Sequence, residues 1–296
     1  MSRDFSWTPH PDTGISIKWI DANGLTFEVA EAGQGEKLAL FLHGFPELHY
    51  SWRHQIPLFV KMGYRVWAPN LRGYGKTSRP RNKIDYRLNN LLQDIAGLID
   101  ASEAKDITLI AHDWGAIIAW HFAIKKVRPL AKLIIMNVPH PICGRRELKT
   151  LKQLKKSWYM FFFQIPWLPE LRLGARNAEA FSRLFYETSV NQSRFTESQC
   201  EAFREAASEP GAISAMLNYY RALFQTKDFS EIGEGFVEVP TLLIWGEQDI
   251  ALDIACIEGT GDFVRDLTVR RFTNASHWVQ QDIPDEVNLA IKNWLN

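Results

Sequence analysis

The sequence has few cysteines and no excess of charge of either sign. Cys143, Cys200 and Cys256 show no CxxC spacing, which argues against a zinc or redox motif, and their odd number argues against a disulfide framework. The 34 Lys and Arg residues balance the 34 Asp and Glu residues, so no overall basic field would attract nucleic acid. We therefore expect no metal site and no nucleic-acid partner.

No segment is typical of export or of a membrane span. The first seven residues, MSRDFSW, lack the apolar run of a signal peptide. The richest apolar stretch, residues 158–163, is followed by Gln164 and Pro166 and is far shorter than the roughly 20 residues needed to cross a bilayer. We therefore expect a soluble, reduced protein of the cytoplasm with no membrane partner. The sequence leaves open whether it is a monomer or a homodimer.

The pattern of apolar residues is typical of an α/β protein. The 296 residues are 46% apolar and 23% charged, which fits one large domain or one domain with an insertion. Short buried runs alternate with longer helical patterns, as in βαβ units on a mostly parallel sheet, and Asn23-Gly24 indicates a hairpin between the first two runs. The predicted strands are residues 15–21, 25–30, 38–42, 64–68, 107–111, 132–136, 241–245 and 267–272. The predicted flanking helices are residues 51–61, 88–101, 114–124 and 285–295.

The alternation stops once, between a strand that ends near Asn137 and one that starts near Val239. The intervening residues have helical periodicity, with breaks at Pro166, Pro169 and Pro210. A loop of this length is implausible inside a compact domain. We therefore expect an inserted all-helical cap at residues 141–232 on a core formed by residues 1–140 and 233–296.

The start of this insertion is rich in basic residues. Such a run is typical of a solvated helix face, here above Leu148, Leu151 and Leu154, and the alternative is steering of an anionic ligand. The basic residues are Arg145, Arg146, Lys149, Lys152, Lys155 and Lys156.

The clearest chemical motif is LIAHDWGA at residues 109–116. A predicted strand runs into Asp113 and a predicted helix follows at once, with the small residues Ala111 and Gly115 two positions to either side. This pattern is typical of a nucleophile elbow, whose tight strand-to-helix turn exposes one side chain at the edge of a sheet. An Asp that merely caps the helix is the structural alternative.

An Asp at the elbow changes which reactions are chemically sensible. Attack of a carboxylate on an acyl ester would give a mixed anhydride, a poor intermediate for acyl transfer. Attack on a saturated carbon that bears a leaving group gives an ordinary alkyl ester, which water can cleave. The motif therefore favours epoxides or carbon–halogen bonds as substrates.

The second step would need a base and a group that orients it. His277 follows the last predicted strand, and Asp249 follows the strand before it, so the chain order is nucleophile, acid, histidine, as in elbow-type hydrolases. Glu247 and Asp253 are rival acids, whereas Asn137, at the alternative acid position, cannot serve as one. We predict the pair Asp249 and His277.

Residues 43–47, HGFPE, follow a buried strand and are suited to an oxyanion hole. The backbone N–H of Phe45 would act with that of Trp114, the residue after Asp113. The peptide bond before Pro46 is a candidate for the cis form, and an ordinary Gly-Pro turn is the structural alternative.

With these motifs the sequence resembles the α/β-hydrolase superfamily, and within it the soluble epoxide hydrolase branch, over nearly its whole length. The resemblance implies an α/β-hydrolase fold with a helical cap, and two cap tyrosines that hold the epoxide oxygen. The first matches Tyr159 in SWYMFFFQIP, and the second matches Tyr220 in NYYR. A phenol suits the role because its pKa near 10 keeps it protonated at neutral pH. Packing inside the cap is the structural alternative for both rings.

The runner-up is a haloalkane or haloacetate dehalogenase with the same Asp nucleophile. Haloalkane dehalogenases also carry HDWG, so Trp114 could donate to a halide, but they usually have Asn where this chain has Phe45. Haloacetate dehalogenases resemble this chain too, but hold the leaving fluoride with a cap His-Trp pair, where this chain has Trp158-Tyr159. A hydrolase-fold binding protein without turnover is a remote third possibility, because no member of the triad is missing.

We therefore predict hydrolysis of an apolar epoxide to a vicinal diol, with no metal or organic cofactor, in a detoxification or catabolic role. Substrate and water would be its small-molecule partners. We expect the substrate to contact His43, Pro46, Trp158 and Phe162.

Overall fold

The computed structural model describes residues 5–225, 227, 229 and 231–296. The first four residues of the predicted core, and residues 226, 228 and 230 of the predicted cap, lie outside the described residues. The division into core and cap at 141 and 232 stays a prediction.

The centre of the fold is an eight-stranded sheet in the order β1-β2-β4-β3-β5-β6-β7-β8. The hairpin β1–β2 is antiparallel and pairs antiparallel with β4, and all other neighbours are parallel. The predicted α/β class with a mostly parallel sheet is therefore confirmed. The strands are β1 (Ser16–Ala22), β2 (Leu25–Ala32), β3 (Leu38–Leu42), β4 (Arg65–Pro69), β5 (Ile107–His112), β6 (Lys132–Met136), β7 (Thr241–Gly246) and β8 (Leu267–Phe272).

Helices cover both faces of the sheet, and two apolar clusters form the core. One cluster packs residues of α2 and α3 against one face, and the other packs α1 and α11 against the opposite face. The strands β3, β5 and β7 are buried along their whole length, which is why they appear in the sequence as continuous apolar runs. The helices flanking the sheet are α1 (Ile56–Lys61), α2 (Leu88–Ser102), α3 (Asp113–Ile124), α10 (Val279–Asp282) and α11 (Pro284–Leu295).

Between β6 and β7, residues 141–225 form helices and no strand, as predicted. Helix α7 is kinked, since residues 175–178 depart from helical backbone angles. These helices are α4 (Pro141–Glu147), α5 (Leu151–Lys156), α6 (Trp158–Phe162), α7 (Leu168–Thr188), α8 (Glu197–Ser208) and α9 (Ala212–Gln225). Within the part of the chain that the structure describes, every helix is too short or too polar to cross a lipid bilayer.

The predicted helix at 51–61 is wrong in its first half. The structure has a short 3-10 turn at His49–Trp52, and the α-helix begins only at Ile56. Pro57 explains the break, because its ring has no N–H to donate and would clash with the preceding helical turn.

Parallel strands place the loops that follow them at one edge of the sheet. The segments after β3, β5, β6, β7 and β8 carry Phe45, Asp113, Asn137, Asp249 and His277 respectively. The topology therefore gathers residues that are far apart in the sequence at the carboxyl ends of the strands.

Candidate active site

Asp113 lies at the sharp turn between β5 and α3. Its backbone φ is +46°, a left-handed conformation that costs energy for a residue with a Cβ. The turn needs small neighbours, because a Cβ on Gly115 would lie 2.2 Å from the carbonyl oxygen of Leu42. The Asp113 side chain is 14% exposed, so the strained turn presents its carboxylate to a reactant.

The loop after β3 lies directly against this carboxylate. The backbone N–H of Phe45 donates to Asp113 Oδ1 at 2.6 Å, and a Cβ on Gly44 would lie 2.2 Å from the Asp113 Cβ. The amide of Trp114 lies in the first turn of α3, where backbone N–H groups have no partner within the helix. Both predicted oxyanion donors are therefore next to the carboxylate.

His277 lies between two carboxylates. Its Nδ1 is 2.7 Å from Asp249 Oδ2, and its Nε2 is 3.5 Å from Asp113 Oδ2. The Asp249 side chain is 0% exposed, in contrast to Asp113, so only Asp113 is open to a substrate. The three residues therefore have the geometry of nucleophile, base and orienting acid.

The two rival acids lie elsewhere. Glu247 pairs with Arg271 at 2.8 Å, and Asp253 pairs with Lys152 at 2.7 Å. Asp249 alone among the three is hydrogen-bonded to His277, as predicted.

Asn137 has a role that the sequence did not reveal. Its Nδ2 donates to Asp249 Oδ2 at 2.8 Å, and its Oδ1 accepts the N–H of Gly246 at 2.9 Å. Asp249 Oδ1 in turn accepts the backbone N–H groups of Ala251 and Leu252 at 2.7 and 2.9 Å. An amide cannot replace the acid, but here it orients the acid. The position of Asn137 after β6, where an alternative acid could stand, was the one sequence signal for this role.

Charge and burial set the protonation states of the triad. Burial alone would raise the pKa of Asp113 and of Asp249, but hydrogen bonds and charge from His277 hold both below the ordinary value. Burial alone would lower the pKa of His277, but the two carboxylates raise it to about 10. The resting site therefore holds an imidazolium between two carboxylates.

Tyr159 on α6 and Tyr220 on α9 come together in the fold. Their ring centroids are 5.9 Å apart in an edge-to-face arrangement, and Tyr220 also contacts Trp114 at 5.1 Å. Burial raises the pKa of both phenols, and the charge of Asp113 raises each further. Both hydroxyls are therefore protonated at neutral pH and lie within electrostatic reach of Asp113.

The four predicted substrate contacts lie in different surroundings. His43 is fully buried, its Nδ1 faces the carbonyl of Gly44, and its Nε2 accepts the N–H of Leu71, so it supports the loop from below. Pro46 is buried after a cis peptide bond. Phe162 is half-buried, whereas Trp158 is 63% exposed. Substrate contact by these residues stays a prediction.

A buried network beneath the site was also missed. The Glu47 carboxylate accepts the Gly44 N–H at 3.0 Å and His112 Nδ1 at 2.5 Å, and it accepts the side-chain amides of Gln280 and Gln281 at 2.9 Å each. His112 Nε2 lies 2.8 Å from the carbonyl oxygen of His277. The network thus joins the oxyanion loop, the elbow and the histidine loop.

Helix α5 is hydrogen-bonded to the loop that carries Asp249. Gln153 is 1% exposed and donates to the carbonyl of Ala251 at 2.8 Å. Lys156 Nζ donates to the carbonyl of Asp249 at 2.6 Å, three residues before Tyr159. The segment that leads to the first cap tyrosine is therefore attached to the acid loop.

Among the residues that the structure describes, no group of three or more His, Cys, Asp or Glu side chains is arranged to hold a metal ion.

Comparison with known proteins gives consistent matches. A family model described as alpha/beta hydrolase fold matches residues 39–282. Epoxide hydrolase 4 of Homo sapiens is 40% identical over 285 residues, which cover 93% of this chain and 77% of that protein. Epoxide hydrolase 2 of Caenorhabditis elegans is 35% identical over 284 residues, which cover 94% of this chain and 79% of that protein.

The structural comparison agrees. The crystal structure of Bacillus megaterium epoxide hydrolase in complex with an inhibitor is 34% identical, with a TM-score of 0.87, and the match covers 94% of this chain and 100% of that chain. The similarity therefore extends over the sheet and the helical insertion together.

Proposed function

This chain belongs to the family with the α/β-hydrolase fold, in its epoxide hydrolase branch, and from that premise we propose that it converts an epoxide to a vicinal diol through a covalent ester on Asp113. The family membership confirms the predicted fold and the predicted enzyme class. The observation that carries the proposed mechanism is the accessible Asp113 carboxylate 3.5 Å from His277 Nε2, on the opposite side of the imidazole from Asp249.

In the first step, Asp113 attacks a carbon of the epoxide ring. The carbon–oxygen bond of the ring breaks, and its electron pair stays on the departing oxygen. Tyr159 and Tyr220 stabilise that oxygen by hydrogen bonds and supply its proton, because their raised pKa values keep both phenols protonated. The product of this step is an alkyl ester of Asp113.

In the second step, His277 takes a proton from water, and the hydroxide attacks the carboxyl carbon of the ester. The Phe45 N–H already donates to Asp113 Oδ1 at 2.6 Å, and with the Trp114 amide it would stabilise the tetrahedral oxyanion. Collapse breaks the bond to the alkyl oxygen, which takes the proton of the added hydroxyl, so the diol is released and the carboxylate is restored beside the imidazolium. Asp249 stabilises the imidazolium that forms.

The first step also prepares the base for the second. Two of the four interactions that raise the pKa of His277 come from Asp113. Esterification removes the negative charge of Asp113, so the pKa of His277 falls. The ring can then pass its proton, through water, to the phenolate that ring opening leaves behind. The imidazolium of the resting site thus becomes a base only after the ester has formed.

We expect Asp113→Asn to lower the pKa of His277 from about 10, because the amide carries no charge. Titration of the His277 ring protons by NMR measures this pKa directly. The folded-state pKa of His277 lies above the ordinary 6.5, so its contribution to stability is fully present below that pH and is lost as pH rises towards 10. Urea unfolding should therefore show a smaller loss of stability over this range in Asp113→Asn than in the wild type. An unchanged pKa would contradict the coupling.

The cap tyrosines are tested by removing their hydroxyls. We expect Tyr159→Phe combined with Tyr220→Phe to slow ring opening by at least about 10²-fold, and each single change to slow it less, because one donor would remain. Single-turnover formation of the ester measures this step, and its hydrolysis should change little. Tyr186→Phe, at an exposed position on α7, is the matched control. Ring opening at the wild-type rate in the double variant would refute the assigned role.

The covalent route is tested with water labelled by heavy oxygen. One turnover in this water should place the label in the peptide that contains Asp113, because the hydroxide attacks the carboxyl carbon. The diol from that turnover should carry no label. Label found only in the diol would show direct attack of water on the epoxide and would refute the ester.

One observation favours the dehalogenase alternative. The indole N–H of Trp114 is buried next to Tyr220, whose pKa it lowers, so the same N–H could donate to a departing halide. A substrate panel of styrene oxide, a haloalkane and fluoroacetate separates the two functions. Diol release is expected, and halide release without diol would support the alternative.

A further inference from the structure

The outer surface of the cap carries many exposed apolar side chains. Nine large ones lie between positions 148 and 171, and Trp167 and Leu151 are the most exposed at 79% and 78%. We refer to them as the cap apolar face. Its members are Leu148, Leu151, Leu154, Trp158, Phe161, Ile165, Trp167, Leu168 and Leu171.

This face is at odds with the sequence expectation for the start of the cap. Leu148, Leu151 and Leu154 were expected to lie beneath a basic helix face, but all three are exposed. The face extends to α9, because Phe161 contacts the exposed Phe224 at a centroid distance of 5.8 Å. Residues three apart on a helix are neighbours, as are Leu151 and Leu154 on α5, Trp158 and Phe161 on α6, and Leu168 and Leu171 on α7. Exposed apolar neighbours of this kind are typical of an interaction surface, whereas isolated exposed apolar residues are common.

The same segment is strongly cationic. Residues 145–172 contain seven Arg or Lys residues and two acidic residues. Both acids are already paired, Glu147 with Arg146 at 2.8 Å and Glu170 with Arg221 at 2.6 Å. Within the described residues, four of the cations have no acidic partner: Lys149, Lys155, Arg172 and Arg145, the last of which donates to the carbonyl oxygen of Phe229.

We propose that the cap apolar face docks on the surface of a membrane that contains anionic phospholipid. Tryptophan, phenylalanine and leucine side chains would enter the boundary between headgroups and acyl chains, and the unpaired cations would contact lipid phosphates. Lysine and arginine suit this position because their apolar stems lie along an apolar surface while their charges stay in water. We expected no membrane partner from the sequence, because its apolar runs are too short to span a bilayer. Docking of this kind needs no membrane-spanning helix, so short apolar runs do not exclude it.

Charge favours lipid over a second copy of this chain. A symmetric dimer through this face would bring the same patch of each copy together. Lys149, Lys155 and Arg172 would then face the same cations with no free acid of the segment between them, and like charges in contact are unfavourable. An anionic lipid surface complements both the apolar and the cationic character of the face.

Docking would place the site beside a store of apolar substrate. Tyr159 lies between Trp158 and Phe161 on α6, so the helix that presents the first cap tyrosine also contributes to the docking face. Delivery of an apolar epoxide from the bilayer rests on the proposed function, whereas docking does not.

Vesicle flotation tests the proposal without any turnover. We expect the wild-type protein to float with vesicles of phosphatidylcholine and phosphatidylglycerol, much less with phosphatidylcholine alone, and to be released by high salt. Lys149→Glu with Lys155→Glu should weaken binding by at least about 10-fold, at roughly 1 kcal/mol per cation. Trp167→Ser with Leu171→Ser should weaken it as well.

Matched controls come from elsewhere on the surface. Trp19→Ser with Leu289→Ser, at positions that are 54% and 58% exposed, should bind vesicles like the wild type, and so should Lys105→Glu. Hydrolysis of a water-soluble epoxide without vesicles should be unchanged in all these variants, and equal thermal unfolding midpoints would show that they fold.

Three results would overturn the proposal. The first is that the wild type does not float with anionic vesicles, and the second is that the wild type and the cap variants float equally. The third is that sedimentation velocity shows a dimer, which the combined changes Trp167→Ser and Leu171→Ser dissociate. The last would assign the face to a second copy. Failure of the proposed function would instead appear as loss of the Asp113 ester, with flotation intact.

Discussion

Replacing Asp113 with alanine is expected to lower kcat/KM for an epoxide by at least about 10⁴-fold. The ring carbon would lose its nucleophile, and the remaining donors, Tyr159, Tyr220 and the oxyanion amides, only polarise or stabilise. The role of His277, whose Nδ1 is hydrogen-bonded to Asp249 at 2.7 Å, is to activate water. The measurement is steady-state diol formation together with the unfolding midpoint of the variant.

Asp106→Ala is the matched control for this change. Asp106 lies on the surface, 3.9 Å from Lys37, and its loss should leave turnover unchanged. A fall in kcat/KM of less than about 10-fold in the folded Asp113→Ala protein would be too small for the loss of a nucleophile, since even general acid–base catalysis contributes more than that. It would mean that water attacks the epoxide directly.

Replacing His277 with glutamine is expected to separate the two steps. Ring opening needs the carboxylate and the phenols, so the variant should still consume about one epoxide per active site. Hydrolysis of the ester needs the base, so kcat should fall by about 10²–10⁴-fold. The ester should therefore accumulate, and intact-protein mass spectrometry should show the mass of one substrate added at Asp113.

His10→Gln provides the control for this experiment. The His10 side chain is 73% exposed and lies in the N-terminal segment, so its replacement should give wild-type turnover and no adduct. If His277→Gln loses turnover without any adduct, His277 acts in ring opening itself, and the proposed order of events is wrong.

The elbow and the order of the triad could be predicted because their signals are local. A strand that runs into Asp113, flanked by Ala111 and Gly115, allows few conformations, and the structure has the sharp turn that these small residues permit. Among the acids, the sequence favoured Asp249 over Glu247 and Asp253 from position alone. The hydrogen bonds of the three carboxylates in the folded protein distinguish them.

The supporting contacts could not be predicted, because they join distant parts of the chain. Glu47 and His112 are 65 residues apart, and Asn137 and Asp249 are 112 residues apart. Each is brought to its partner by the parallel register of the sheet, which no local pattern encodes. The break at Pro57 was a local signal that the helical periodicity of residues 51–61 obscured.

Local sequence and tertiary packing thus determine different properties of this protein. Residue types and short-range periodicity determine that the elbow carries a carboxylate and not a hydroxyl, that strands and helices alternate, and that a helical insertion interrupts them. They do so because a strand or a turn depends mainly on its immediate neighbours. The charge state of His277, the orientation of Asp249 by Asn137 and the outward position of Trp158 depend on which groups meet across the fold. Burial and distance set those properties, and both exist only once the chain has packed.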